Sequence, residues 1–302
     1  MEIEDLNYFV SNIQGEIKFD YSIKKLNWFN IGGKVKVFFK PQSLKELKDF
    51  LELYKKRGKI FILGAGSNVL FNDKVYEGVV IKLGNSFSNI SKLNDTKIIA
   101  GSSCSQKKLS EYAKENNLSG MEFMYCIPGT IGGGLRMNSG CFGKEFKDLL
   151  ISIQAIDFSG KIQTFRADEI KFNYRGSNLP KDLIFLSATF EGIRQSKNKI
   201  QNLMNDLKLR KEKAQPTKIK TSGSTFKNPI NQTDKKVWQL IDHALDKKKF
   251  FGDAYISEKH ANFFVNKKNA SFSEMKSLID FVKNSVKVKT GIDLHLEIVI
   301  VE

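Results

Sequence analysis

Between Ile127 and Gly140 the sequence reads IPGTIGGGLRMNSG, five glycines and one proline in fourteen residues. Glycine costs a regular element backbone entropy and packing, so this density belongs where something must approach the main chain more closely than a Cβ allows. A second glycine stretch, GAGSNVLF from Gly64, follows the short apolar run KIFIL, which reads as a buried strand. A dinucleotide loop of the G-x-G-x-x-G kind would need glycine where Val69 stands and a helix afterwards, yet LFNDKVYEG carries no helical stripe. A phosphate loop of the G-x-x-x-x-G-K-[ST] kind fails at GSSCSQKK from Gly101, which lacks the second glycine and a hydroxyl residue after lysine. Successive backbone amides bind anions without either signature, so the loops at 64–68 and 129–134 are candidates to grip one dinucleotide. The alternative is a pair of ordinary turns between strands. Asn138, Gly140 and Gly143, so soon after the triple glycine, favour a phosphate or cofactor loop.

The chain has 302 residues, 49 Lys plus Arg against 33 Asp plus Glu, and a formal net charge of +16. That length supports two domains. The lysines are spread through every segment with no basic arm and no interleaved aromatic motif, so a solvated surface is expected rather than a nucleic-acid face. Cys104, Cys126 and Cys141 have no CxxC spacing, which suggests neither disulfide nor metal site and fits a reducing compartment. The acidic N-terminus and the lack of a long apolar run predict a cytoplasmic protein with no membrane contact.

Residues 26–40 read as a strand entering and leaving a tight turn at Gly32-Gly33. Ser43 with Glu46 forms a capping-box pattern for a helix with Leu44, Leu47, Leu51 and Tyr54 on its stripe and Gly58 past its end. TKIIAGSS is a strand, Ser105 to Asn117 a helix, and 151–192 a set of strands with FSGK as a hairpin turn. Residues 195–213 place Ile200, Leu203, Met204 and Leu207 on one helical stripe, taken as the opening of a new domain near 195. Ser271 and Glu274 begin a last helix striped by Met275, Leu278, Ile279, Val282 and Val286 and stopped at Gly291. The closing strand IDLHLEIVIV sets Leu294, Leu296 and Ile298 against His295, Glu297 and Val299 on the other face.

Seven segments then fall in one order: NWFNIGG (27–33), ILGAGSNVLF (62–71), IPGTIGGGLRMNSG (127–140), NYRGS (173–177), GSTFKNP (223–229), SEKHANFFVN (257–266) and LHLE (294–297). From about residue 26 onward the chain resembles the UDP-N-acetylenolpyruvoylglucosamine reductases, the MurB flavoenzymes of peptidoglycan precursor synthesis, in their shorter subtype. The resemblance implies an α+β fold: an N-terminal extension over 1–25, an FAD-binding domain of the vanillyl-alcohol-oxidase type over 26–194 with subdomains of about 26–90 and 91–194, and an α+β substrate-binding domain over 195–302. It also implies FAD as cofactor, NADPH as hydride donor and reduction of the enolpyruvyl ether of UDP-N-acetylglucosamine to UDP-N-acetylmuramate, by a monomer. Another FAD oxidoreductase on the same flavin fold is the alternative.

By the same resemblance Gly64, Ala65, Gly66, Ser67, Asn68, Pro128, Gly129, Thr130, Gly132, Gly133 and Asn138 hold FAD. Ser224 is the implied proton donor to C2, a task for which a serine needs nearby cations or dipoles. Arg175 is implied to steady the enolate and carboxylate, which suits its planar fork of donors, and Glu297 to act beside it. Arg210 and Lys213 match residues near the substrate phosphates, and Lys227, Asn228, His260 and Asn262 fall in substrate-binding motifs. Three positions depart from the family pattern. Arg136 stands where many members have tyrosine, the basic residue two positions after Glu297 is missing, and IDHALDKKKFFGD lacks its usual glycines.

Overall fold

The computed structural model describes residues 9–55, 57–245 and 249–302. Part of the expected N-terminal extension (1–8) and part of IDHALDKKKFFGD (246–248) lie outside those residues. By contacts the chain divides into two units, Met1–Phe19 with Val37–Ala65 and Glu77–Arg210, and Asp20–Lys36 with Gly66–Tyr76 and Lys211–Glu302. Neither is a continuous segment, which differs from the boundaries expected at 26 and 195. The later boundary moves for a packing reason. Leu207 of the helix Lys197–Ala214 is buried in the core of the first unit, so that helix does not open the second. Leu203, expected on its buried stripe, is 44% exposed.

In the first unit an antiparallel sheet runs in the order Ile162–Arg166, Leu150–Asp157, Leu183–Glu191, Lys97–Gly101 and Ile90–Lys92. Its central strand, LIFLSATFE, is buried at most positions, which explains its near-continuous apolar reading. Ile98, Ala100, Ala188 and Phe190 of this sheet share one core with Leu109 and Ala113 of the helix Gln106–Glu115 and with Ile131 and Leu135 of the helix Ile131–Arg136. A second sheet orders Glu16–Ser22, Lys34–Lys40, Tyr76–Ile81 and Lys59–Ile62, the last two parallel. A separate core joins Phe39, Leu47, Phe50 and Leu51 to Ile156, Ile184 and Leu186.

The helix Leu44–Tyr54 forms only half of its expected capping box. Ser43 accepts from the Glu46 amide at 3.2 Å, but the Glu46 carboxylate accepts the Gln42 and Gln14 amides, each at 2.8 Å, and so ties down an upstream stretch of chain. The helix ends at Lys55 in the left-handed region rather than at Gly58, where an added Cβ would fall 2.5 Å from the Tyr54 hydroxyl.

The second unit gathers three chain segments around Phe29, Leu70, Phe226, Ile256, Phe264, Leu278 and Leu294. Val69–Phe71 pairs in parallel with Val299–Val301, and the helix Phe272–Thr290 carries the full capping box and the Gly291 stop read from its sequence. The terminal strand is shorter than expected, and its alternation holds only in part: Leu294 and Ile298 are buried while His295 and Val299 are exposed, but Leu296 and Glu297 are both half-buried. Asn266 fastens the early segment to the late one, donating to the Phe29 carbonyl at 2.7 Å and accepting the Ala270 amide at 2.8 Å, at 2% exposure. Asn266→Ala would leave both buried groups unpaired, and urea unfolding should show a loss of about 1–3 kcal/mol; an unchanged midpoint would mean that Asn266 does not hold the segment 20–36.

Candidate functional site

The glycine-rich stretch is not an open loop. Pro128-Gly129-Thr130 turns, and Ile131–Arg136 forms a short helix capped by Thr130, whose hydroxyl accepts the Gly133 amide at 3.3 Å. Most of its glycines answer to the protein itself. A Cβ on Gly134 would stand 2.3 Å from the Phe146 ring, one on Gly140 2.3 Å from the Lys144 carbonyl, and one on Gly132 3.2 Å from Ser102. Gly133 is the open position, with only Thr130 Oγ1 nearby at 3.5 Å, and Gly129 adopts φ +146°.

The amides divide in the same way. Ile131 and Gly132 donate to the Cys104 and Ser102 carbonyls, each at 2.8 Å, so they are spent on the protein. Those of Gly129 and Thr130 find no acceptor among the described residues, nor do those of Gly64, Ala65, Gly66 and Asn68 in the other loop. Gly64 and Ala65 belong to the first unit, where Gly64 lies against Thr130, its absent Cβ 2.7 Å from Oγ1. Beneath the Gly129–Gly132 turn, Ser102 Oγ and Gln106 Oε1 are buried without a hydrogen-bond partner among the described residues. Gln106 donates its backbone amide to the Gly129 carbonyl at 3.0 Å. Unpaired amides and a serine hydroxyl are donors that suit a diphosphate, so the residues present fit FAD. Ser102 and Gln106 escaped the sequence reading because only the fold brings GSSCSQ under the glycine turn.

Asn138 plays a different part from the one expected of it. Fully buried with φ +40°, it donates to Glu145 at 3.0 Å and to the Asn173 carbonyl at 3.2 Å and accepts the Lys147 amide at 3.1 Å, which commits both ends of its side chain to the protein. It ties the end of the glycine stretch to the hairpin Phe172–Asn173/Gly176–Ser177. Arg175 occupies that hairpin's two-residue turn at φ +60°, a conformation costly for a side-chain residue and common where function over-determines the backbone. Its guanidinium donates to the Gly140 carbonyl at 3.1 Å and lies 4.0 Å from Glu145.

Arg136, unassigned from sequence, staples its helix by donating to the Pro180 and Leu183 carbonyls at 2.8 and 2.7 Å and stacks over Phe185. Arg210 is exposed, 3.9 Å from Asp206, and its guanidinium sits over the Phe142 ring beyond the glycine stretch. Lys213 is exposed on the same helix.

In the second unit the GSTFKNP segment is clamped by backbone pairing. Ser224 bridges Phe263, Phe226 bridges Leu296, and the Glu297 amide donates to the Thr225 carbonyl at 2.8 Å, so Ser224 and Glu297 are held on neighbouring extended segments. Asn68 donates its side-chain amide to the Glu297 carbonyl at 3.0 Å, and its own carbonyl accepts the Val299 amide, which carries this end of the GAGSN loop to the same place. The half-exposed Ser224 hydroxyl has no partner among the described residues, and Gly223 before it, at φ +76°, faces open space. Asn262 is the clamp rather than a ligand-facing group: its side chain donates to the Phe226 carbonyl at 2.8 Å and accepts the Phe226 amide at 3.0 Å. His260 Nδ1 accepts the Asn262 amide at 3.2 Å, which in the neutral ring puts the proton on Nε2. Asn228 accepts the Val237 amide at the start of a helix, and the Lys227 amide donates to the His295 carbonyl.

No disulfide joins the three cysteines, and burial pushes the Cys104 thiol up to about 11. Among the described residues no cluster of His, Cys, Asp and Glu could hold a metal, and no helix is long and apolar enough to cross a membrane.

Comparison with known proteins bears on the same residues. Residues 35–166 match the model of an FAD binding domain, and residues 215–301 that of the UDP-N-acetylenolpyruvoylglucosamine reductase C-terminal domain. The chain is 58% identical over 302 residues to UDP-N-acetylenolpyruvoylglucosamine reductase of Pelagibacter ubique (strain HTCC1062), covering 100% of both. To the enzyme of that name from Rickettsia bellii (strain RML369-C) it is 46% identical over 286 residues, 95% of this chain and 94% of the relative. A crystal structure of UDP-N-acetylenolpyruvylglucosamine reductase (MurB) from Thermus caldophilus matches with a TM-score of 0.80 at 26% identity, over 96% of this chain and 100% of that one. The expected α+β fold, with an FAD-binding region and a distinct C-terminal domain, is borne out.

The division of the glycines is testable. In urea unfolding of the flavin-free chain, Gly134→Ala should cost about 1–3 kcal/mol through collision with Phe146, and Gly133→Ala should be neutral or gain up to about 1 kcal/mol from helix propensity. Equal losses would overturn the assignment.

Proposed function

The chain belongs to the UDP-N-acetylenolpyruvoylglucosamine reductase family, and from that premise we propose that it reduces UDP-N-acetylglucosamine enolpyruvate to UDP-N-acetylmuramate with NADPH, as a cytoplasmic monomer with no nucleic-acid partner. FAD, when bound, supplies the two-electron chemistry, accepting a hydride from NADPH and returning one to C3 of the enolpyruvyl group. The protein's part is to hold that cofactor, to fix the charge that develops and to deliver one proton.

Holding falls to the unpaired amides of Gly64, Ala65, Gly66, Asn68, Gly129 and Thr130, with Pro128 and Ser67 shaping the turns, Gly132 closing the helix start onto Ser102 and Gly133 keeping the approach clear. Asn138 serves the same end indirectly, as the tie between the glycine stretch and the Arg175 hairpin. Charge develops at C2 and on the substrate carboxylate once the hydride has arrived, and a guanidinium offers that pair of oxygens two parallel donors. Arg175 is the residue for this, held by the Gly140 carbonyl and by its turn. Ser224 delivers the proton to C2. The observation that carries this role is its hydroxyl, half-exposed and without a protein partner among the described residues, on a segment otherwise fixed by its bridges. Glu297 keeps the role the family pattern gives it, beside the arginine, and its backbone is fixed by the Thr225 carbonyl.

Arg210, Lys213 and Lys227 are cations for the substrate phosphates. His260, Asn228 and Asn262 act on the site by shaping the Ser224 segment, as their hydrogen bonds indicate. The sequence carries no second dinucleotide motif, which supports NADPH and the sugar nucleotide taking turns at one place.

An anaerobic absorption spectrum tests the reading. The flavin bands should bleach with NADPH and return on adding the enolpyruvyl substrate; bands that stay bleached would send the search to other acceptors. Ser224→Ala should leave bleaching intact and slow the return by about 10²–10⁴-fold, whereas equal loss of both halves would remove Ser224 from the proton-donor role. NADPH at high concentration should inhibit competitively against the enolpyruvyl substrate, and purely noncompetitive inhibition would separate the two sites.

A further inference from the structure

Lys82 follows the strand Tyr76–Ile81 and is half-buried, with its backbone amide bonded to the Phe39 carbonyl at 2.9 Å. Its ammonium donates to the carbonyl of Gly64, the first residue of the GAGSN loop. An ammonium has three donors, and no further acceptor for it occurs among the described residues. Nor does any carboxylate among them answer its charge. Burial, and after it the like charge of Lys40 at the end of the adjacent strand, pushes the ammonium below its ordinary value. A lysine kept half-buried, unneutralised and beside another cation is unfavourable unless an anion arrives.

The contact with Gly64 also has a directional consequence. A trans peptide is planar, with its C=O and N–H on opposite sides, and no cis bond occurs among the described residues. When Lys82 draws the Gly64 carbonyl toward itself, the Ala65 N–H of the same peptide plane points the opposite way. That amide is one of the loop's unpaired donors.

Resting on the flavin reading above, we infer that Lys82 is a positioning residue for the cofactor diphosphate: it turns the Gly64–Ala65 peptide so that its amide faces the anion, and it places an uncompensated positive charge behind that amide. A purely structural lysine would instead matter equally with or without a phosphate on the ligand.

Riboflavin, which lacks the diphosphate, separates the two. Titrating the flavin-free full chain by flavin fluorescence, Lys82→Met should weaken FAD by about 10- to 100-fold, the scale of losing one charge-assisted contact, while riboflavin affinity stays within about twofold and Lys82→Arg stays within about threefold of the parent for FAD. The melting temperature of the flavin-free Met variant should not fall, since a desolvated charge has been removed. Should the Met variant fail to fold, Lys82→Gln removes the charge and should still weaken FAD selectively, by less than Met if its amide reaches the Gly64 carbonyl, with riboflavin affinity unchanged. Unchanged FAD affinity, or equal weakening of FAD and riboflavin, would overturn the inference while leaving FAD as cofactor. A parent chain that binds no FAD would overturn both.

Discussion

A buried or crowded backbone amide must find an acceptor, and the two glycine loops are where the chain leaves that requirement open. At Ile131 and Gly132 the requirement is met within the first unit, by the Cys104 and Ser102 carbonyls, and these bonds lock the short helix onto the end of the strand Lys97–Gly101. At Gly129, Thr130 and Gly64–Gly66 it is not met among the described residues. Such a backbone is costly to keep rigid by itself, and the protein keeps it rigid by packing. At Gly66 a Cβ would collide with the Leu26 carbonyl at 2.1 Å, and at Gly134 the Phe146 ring fills the space a side chain would need. The glycines thus act in two ways, some closing the scaffold and a few opening it to a ligand.

In the second unit the same logic is applied with strands. The segment 222–228 is short and makes isolated bridges rather than a ladder, yet its carbonyls and amides are taken by Asn262, His295 and Glu297. Buried Asn262 supplies both a donor and an acceptor to Phe226, copying what a neighbouring strand would do. From this clamp the hydroxyl of Ser224 emerges half-exposed. A weak acid suits proton delivery only when its position is fixed in advance, and here the fixing is done by backbone and by residues whose side chains never need to touch substrate.

Long helices and their stops were legible in the residues, because capping and the 3.6-residue stripe are local. Ser271, Glu274 and Gly291 do in the structure what their spacing promised. In two places where the spacing misled, a partner outside the local pattern had prevailed. Glu46 left the reciprocal half of its capping box for the Gln14 and Gln42 amides, and Lys197–Ala214 packs through Leu207 into the core of the first unit rather than opening the second. The motifs marked the right neighbourhoods for the site but not the division of labour inside them. Asn138 and Asn262 look like ligand-binding amides in sequence and are structural ties in space, and nothing local distinguishes Lys82 from the many surface lysines.

The net charge of +16 is made of such lysines. Many of its lysines stand in solvent, several in exposed pairs such as Lys45 with Asp49 and Lys276 with Asp280, and such pairs add little to stability. Their collective field is another matter, because a strong net positive charge raises the encounter rate of anions without regard to fold. FAD, NADPH and a UDP-sugar are all polyanions, so a diffuse excess of lysine favours each of the ligands proposed for this chain. Selectivity cannot come from that diffuse field, since it attracts nucleic acid as readily. It has to come from charges that are held in place, such as the Arg175 guanidinium fixed by Gly140, and from amides whose direction is set by the fold.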